Sequence, residues 1–200
     1  MLELLVATKN QGKMREIREL LKDLDIKITS LADYPHCPKI EEDGKTFAQN
    51  ALKKAVTIAM YTKKLVMGED SGLEVKALGN RPGIYSARYS GEKATDRKNN
   101  LKLIRELKKV PLKKRQARYR CAAALVDANG IIDVVSGSCS GIITMKPYGK
   151  NGFGYDPFFL IPKYNQTFGQ LPPEVKAKIS HRAKALKKLR KSLLKYFQHL

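Results

Sequence analysis

The stretch Leu65-Val66-Met67-Gly68-Glu69-Asp70-Ser71-Gly72-Leu73 decides the fold reading of this chain. Three apolar residues give the pattern of a buried strand. Two adjacent carboxylates follow where that strand is expected to end, and Ser71 and Gly72 read as a turn. Ligands in α/β sheets gather at strand ends, and neighbouring carboxylates repel unless a cation or proton offsets them. The same residues also suit a plain solvated acidic turn, and the local pattern leaves both readings open.

On the N-terminal side, residues 2–7 read as a first buried strand. Met14, Ile17, Leu20, Leu21 and Leu24 then recur at helical spacing, which predicts a helix over about 12–23. Between them lies Thr8-Lys9-Asn10-Gln11-Gly12-Lys13. A strand, a polar glycine-containing turn and a helix start favour a bound anion, through free backbone N–H groups and the helix dipole. Asn10 equally suits a simple helix cap, and the spacing is not that of a P-loop. Residues 27–31 suggest a second strand, and Glu41-Glu42-Asp43-Gly44 is a second acidic cluster. Thr46 and Gln49 have capping-box spacing and predict a helix over 47–61. Asn50, Lys54 and Thr57 share a polar face of that helix, so Lys54 either points back to the acidic clusters or is solvated.

On the C-terminal side, Leu73 and Val75 alternate as in a strand, and 79–83 is a turn-rich loop. Thr95-Asp96 caps a helix in which Leu101, Ile104 and Leu107 are expected to share the buried face. Segments 117–127 and 131–136 flank Asn129-Gly130, a hairpin signal, with Gly137 and Gly141 as candidate bulges. Gly152-Phe153-Gly154-Tyr155-Asp156 lies in a glycine-dense aromatic loop before a short strand at 158–161. A helical region opens near Pro173 and is interrupted at Ser180-His181-Arg182. It closes on Leu186, Leu189, Leu193 and Phe197.

The 200 residues suit one domain, with two lobes as an option, and a 42% apolar share suits a buried core. No segment is long and apolar enough for a membrane helix, and Met1-Leu2-Glu3-Leu4-Leu5 lacks a signal-peptide pattern. Cys37, Cys121 and Cys139 form no CxxC pair and suit reduced cytoplasmic thiols. The formal net charge is +20. Residues 93–120 hold 12 basic and 2 acidic residues, and 174–200 hold 9 basic and 1 acidic. Such segments attract polyanions, whether nucleic acid or nucleotide phosphates, or else they are solvated lysine-rich helix faces.

Clustered carboxylates suit Mg²⁺, which prefers oxygen ligands and keeps substrate phosphate in its shell. An aromatic loop offers stacking, and a His-Arg pair offers hydrogen bonds to a base. Taken together the chain resembles the inosine triphosphate pyrophosphatase family. The resemblance rests on ATKNQGK at 7–13, EEDGKTFAQNA at 41–51, EDSGLEV at 69–75, PGIYSARYSG at 82–91, GFGYDPFF at 152–159 and ISHRAKAL at 179–186. The blocks stand in the family's order and span essentially the whole chain.

The resemblance implies an elongated α/β fold: a mixed twisted sheet with flanking helices and two lobes around a central nucleotide-binding cleft. It makes residues 1–200 a single pyrophosphatase domain. Asp70 is implied as the base that activates water, and Glu41 with Asp70 as the Mg²⁺ ligands. Glu41 is preferred to Glu42 because it stands three residues before Gly44. Thr8, Asn10, Lys13 and Lys54 are implied phosphate ligands, and Ser71 an implied substrate contact. Phe153, Gly154, Tyr155 and Asp156 are implied in the nucleoside pocket, with Lys176, His181 and Arg182. Glu69 departs from the family, where many members have Asp, which leaves a ligand role for it in doubt.

The implied reaction is water attack on the α-phosphorus of ITP, dITP or XTP, releasing pyrophosphate from a cytoplasmic homodimer. A nucleic-acid-binding protein is the competing reading. It accounts for the lysines but leaves both acidic clusters and the glycine loop without a purpose. A related pyrophosphatase for pyrimidine or modified bases is the third. A stable nucleic-acid complex is not expected.

Overall fold

The structure, a computed structural model, describes residues 2–199. Met1 and Leu200, the ends of the expected domain, lie outside the described residues. In chain order the elements are β1 (Leu2–Val6), α1 (Gln11–Leu20), β2 (Ile26–Ser30), α2 (Phe47–Thr62), β3 (Val66–Val75) and β4 (Arg81–Pro82). They continue with α3 (Asp96–Leu107), β5 (Gln116–Asp127), β6 (Gly130–Ile143), β7 (Phe159–Ile161), β8 (Gln166–Thr167), α4 (Pro173–Ile179) and α5 (His181–Gln198). The strands form one mixed sheet in the order β2-β1-β3-β5-β6-β7-β8, with β4 on β3. β1 pairs in parallel with β2 and β3, while β7 pairs antiparallel with β6 and β8. This is the expected mixed α/β class.

The chain divides into two compact units. The first comprises Met1–Asp70, Cys121–Gly137 and His181–Leu200, and the second Ser71–Arg120 and Ser138–Ser180. The first buries Leu4, Val6, Met14, Ile17, Leu65, Met67, Leu186, Leu189 and Leu193 together. Met14, Ile17, Leu186, Leu189 and Leu193 are among the positions whose spacing marks the first and last helices as amphipathic, and Leu4, Val6, Leu65 and Met67 come from the two runs read as buried strands. The second unit buries Leu73, Val75, Leu103, Leu107, Tyr119, Phe159 and Phe168. Its aromatic centre stacks Phe159 on Phe168 at 5.3 Å between ring centroids.

Three expectations change. The strand that should have ended at the acidic pair runs on unbroken to Val75, so Glu69 and Asp70 are mid-strand residues rather than turn residues. Carboxylates are weak strand formers, and they are tolerated here because each meets cations. In α3 the buried face is Leu103 and Leu107, whereas Leu101 is 62% exposed. The i, i+4 pair defines that face better than the i, i+3, i+6 set. Gly137 and Gly141 lie within an uninterrupted β6. At Gly137 the reason for glycine is close approach: an added Cβ would lie 2.3 Å from the His181 carbonyl oxygen and 2.5 Å from the Ala185 amide nitrogen. The start of α5 therefore packs directly on this strand.

Candidate active site

Gly68 sets the geometry of the first unit's polar centre. A Cβ there would lie 2.0 Å from the Ala51 carbonyl oxygen and 2.7 Å from the Ala55 amide nitrogen, so only hydrogen lets β3 lie against α2. Asn50 and Lys54 each precede one of those alanines, and at i, i+4 spacing they share a helix face. Both reach Asp70. The Asn50 amide Nδ2 donates to Asp70 Oδ2 at 3.1 Å, and Lys54 Nζ lies 3.4 Å from Oδ1. Lys54 also pairs with Glu42 at 3.0 Å, and Asn50 Oδ1 accepts from the Gly44 N–H at 2.8 Å. The expected capping box at Thr46 and Gln49 is present and fixes the helix start from which these side chains project.

Successive strand side chains point to opposite faces, and the adjacent carboxylates bond different side chains. Glu69 meets a different set of partners: Lys13 at 2.7 Å, Arg182 Nη2 at 3.0 Å and the Cys121 thiol, which donates to Oε1 at 3.2 Å. Arg182 Nη1 pairs in addition with Glu16. Glu69 is fully buried. Burial alone would raise its pKa, but Arg182 and Lys13 hold it well below the usual carboxylate range. Lys13 is desolvated too, yet the Glu69 carboxylate keeps it above the ordinary lysine value. Burial and Glu69 together push the Cys121 thiol well up.

Asp70 differs in kind. Burial pushes its carboxyl up, against the pull of Lys54 and Lys13, and Glu42 and Glu69 add to the rise. A desolvated carboxylate with elevated proton affinity is what a general base requires.

The N-terminal turn has the geometry of the capping reading. Asn10 Oδ1 accepts from the Lys13 N–H at 3.0 Å, and the Asn10 N–H donates to Thr8 Oγ1 at 3.2 Å. These bonds fix the α1 start and so aim Lys13. Ser180, His181 and Arg182 are 2%, 3% and 1% exposed, which rules out solvated first-turn residues. A cation in a helix's first turn opposes the dipole, and Glu69 and Glu16 offset that cost. Arg182 thus faces two carboxylates in this structure.

The remaining expected site residues lie in the second unit. Lys176 bonds Asp156 Oδ2 and stands over the Phe153 and Phe168 rings at 5.1 and 5.4 Å. The same Asp156 oxygen accepts from the Phe153 N–H at 2.8 Å. Gly154 is held by Asp96, which accepts from its N–H at 2.8 Å, and by Asn100, whose amide donates to its carbonyl at 2.9 Å. Tyr155 is built into the core, 5% exposed, with its hydroxyl donating to the Ser86 carbonyl at 2.8 Å. Phe153, on the same loop, is half-buried. Ser71 is half-buried and opens this unit, directly after Asp70.

Among the described residues no group of three or more His, Cys, Asp or Glu side chains forms a ready metal cage. Mg²⁺ is commonly held by one or two carboxylates, with water and substrate phosphate completing the shell. The carboxylates around Lys54 already accept a cation there, so their hard oxygen donors fit the ion. Glu42 is taken by Lys54, whereas Glu41 on the same loop is exposed.

Sequence reasoning missed Asn50, although its i, i+4 relation to Lys54 marked the face. It also missed Glu16 and Cys121. Neither carries a local signal, since Glu16 meets Arg182 across 166 positions of sequence.

The chain matches the Ham1 family over residues 4–192. It is 47% identical to the dITP/XTP pyrophosphatase of Desulforamulus reducens, over 99% of this chain and 98% of that one. It is 49% identical to that of Shouchella clausii, over 96% of each chain. Among solved structures, a HAM1 protein from Coxiella burnetii superposes with a TM-score of 0.87 at 39% identity, covering 98% of this chain and 100% of that one. The Staphylococcus aureus Ham1 protein gives 0.85 at 38%, covering 97% and 99%. Agreement of sequence and fold over nearly the full length leaves one conclusion: this chain belongs to the Ham1 family.

Proposed function

We propose that the protein hydrolyses non-standard purine nucleoside triphosphates, dITP, XTP and ITP, to the monophosphate and pyrophosphate. The observation that carries this reading is Asp70: a buried carboxylate with raised proton affinity, flanked by Lys54 and Asn50. It stands in a chain 47% identical to a dITP/XTP pyrophosphatase along almost its whole length. Asp70 takes the proton of the attacking water. Lys54 and Lys13 supply positive charge for the phosphates, Lys13 aimed by the Asn10 and Thr8 turn. General base catalysis of this kind contributes about 10²–10⁴-fold.

Asp70 and Glu41 would hold Mg²⁺, while Glu42 restrains Lys54. The ion would neutralise phosphate charge and stabilise the leaving pyrophosphate. Phe153, Gly154, Asp156, Lys176 and His181 remain the proposed nucleoside residues, with Arg182 reading the base once released from its carboxylates. Residues 1–200 are proposed to work as one pyrophosphatase domain, in a cytoplasmic homodimer. Cys37, Cys121 and Cys139 are in no disulfide, which suits that compartment. Among the described residues no helix is long and apolar enough to cross a membrane.

Pyrophosphate release across a panel of nucleoside triphosphates, with and without Mg²⁺, tests the reading. Release from dITP, XTP and ITP far exceeding that from ATP and GTP is expected. Equal release from all purines, or none, refutes it.

A further inference from the structure

Asn50 is fully buried, and both ends of its amide are used. Nδ2 donates to Asp70 Oδ2 at 3.1 Å, and Oδ1 accepts from the backbone N–H of Gly44 at 2.8 Å. A carboxylate oxygen accepts only and a backbone N–H donates only, so one amide orientation satisfies both partners. Flipping it would leave two buried groups unmatched. Gly44 closes the acidic loop that carries Glu41 and Glu42, so one rigid side chain ties that loop to the Asp70 carboxylate. The anchor stands on α2, whose start is fixed by its capping box and whose packing on β3 is fixed by Gly68.

We propose that Asn50 is the positioning residue of this site, orienting the Asp70 carboxylate and locking the acidic loop to it through a single amide. The inference rests on Asp70 acting as the base. A misplacement of about 1 Å at a reacting group costs on the order of 10²-fold in rate, which sets the expected effect.

Two variants separate orientation from mere support. Asn50→Asp keeps an acceptor for the Gly44 N–H but places an acceptor where Asp70 needs a donor. Its kcat with ITP is expected to fall about 10²-fold, with KM within about 3-fold and hydrogen-exchange protection of the Gly44 amide retained. Asn50→Ala is expected to lose both the rate and the protection. Near-normal kcat in Asn50→Asp overturns the proposal, as does a rise in KM with kcat unchanged.

Should either variant fail to fold by circular dichroism, Gly44→Ala strains the same bridge from the loop side. Its Cβ would lie 2.6 Å from Asn50 Oδ1. A folded Gly44→Ala protein with wild-type kcat overturns the proposal. The exchange readout is independent of turnover: equal Gly44 protection in wild type and Asn50→Ala rejects the bridge whatever the enzyme hydrolyses. A wild-type protein that releases no pyrophosphate rejects the functional reading instead.

Discussion

Replacing Gly68 by alanine tests the claim that this glycine builds the site. The new Cβ would stand 2.0 Å from the Ala51 oxygen, and ordinary contact begins at 3.4 Å, so α2 would have to retreat by about 1.4 Å. Both obstructing atoms are backbone, so no side-chain rotation relieves them. Overpacking of this kind costs about 1–3 kcal/mol, and a clash with two main-chain atoms of α2 places it near the upper value. The catalytic effect is larger. Asn50 and Lys54 move with α2, and Lys54 already stands 3.4 Å from Asp70. A retreat of that size breaks both contacts and costs on the order of 10²-fold in kcat. Urea unfolding gives the stability term, and pyrophosphate release from ITP, measured well below the transition, gives the rate. Native midpoint and native kcat in Gly68→Ala would refute the close-packing account. Loss of stability alone would refute its link to the site.

Asp70→Asn is expected to lower kcat about 10²–10⁴-fold without lowering the melting temperature at pH 7. Burial raises the folded pKa of Asp70. Its stabilising contribution is therefore present below the unfolded pKa and lost as pH rises through the folded one, so the ionised group weighs against folding at neutrality. Near-normal turnover would reject Asp70 as the base. Arg182→Ala removes the buried cation shared by Glu69 and Glu16, leaving Glu69 to Lys13 and the Cys121 thiol, and is expected to cost about 3–5 kcal/mol in a urea melt; an unchanged midpoint rejects those ion pairs. In any folded Arg182 variant, a loss confined to ITP supports base reading, while equal losses with ITP and ATP reject it. Reversing Lys108, Lys109, Lys113 and Lys114, all exposed, to Glu is expected to leave kcat with ITP intact. A collapse of kcat in a folded protein would show that those charges serve the substrate.

Local pattern determined the helices and strands whose faces are marked by spacing. Met14 and Ile17, Leu186, Leu189 and Leu193, and the Thr46 and Gln49 cap all stand as the sequence predicts, because amphipathicity and capping are short-range effects. Motif order likewise identified the family, and the i, i+4 relation put Lys54 on the right face. The sequence could not show that β3 continues through Glu69 and Asp70. That continuation depends on cations from α1, α2 and α5, distant in sequence, which make buried carboxylates tolerable in a strand. Alternation along that strand then separates two neighbours into different jobs, Glu69 anchoring Lys13 and Arg182 while Asp70 is left to titrate. Tertiary packing alone also gave the buried Arg182 two carboxylate partners and placed Tyr155 in the core. Burial and long-range charge pairing are properties of the assembled chain, and no local window of residues contains them.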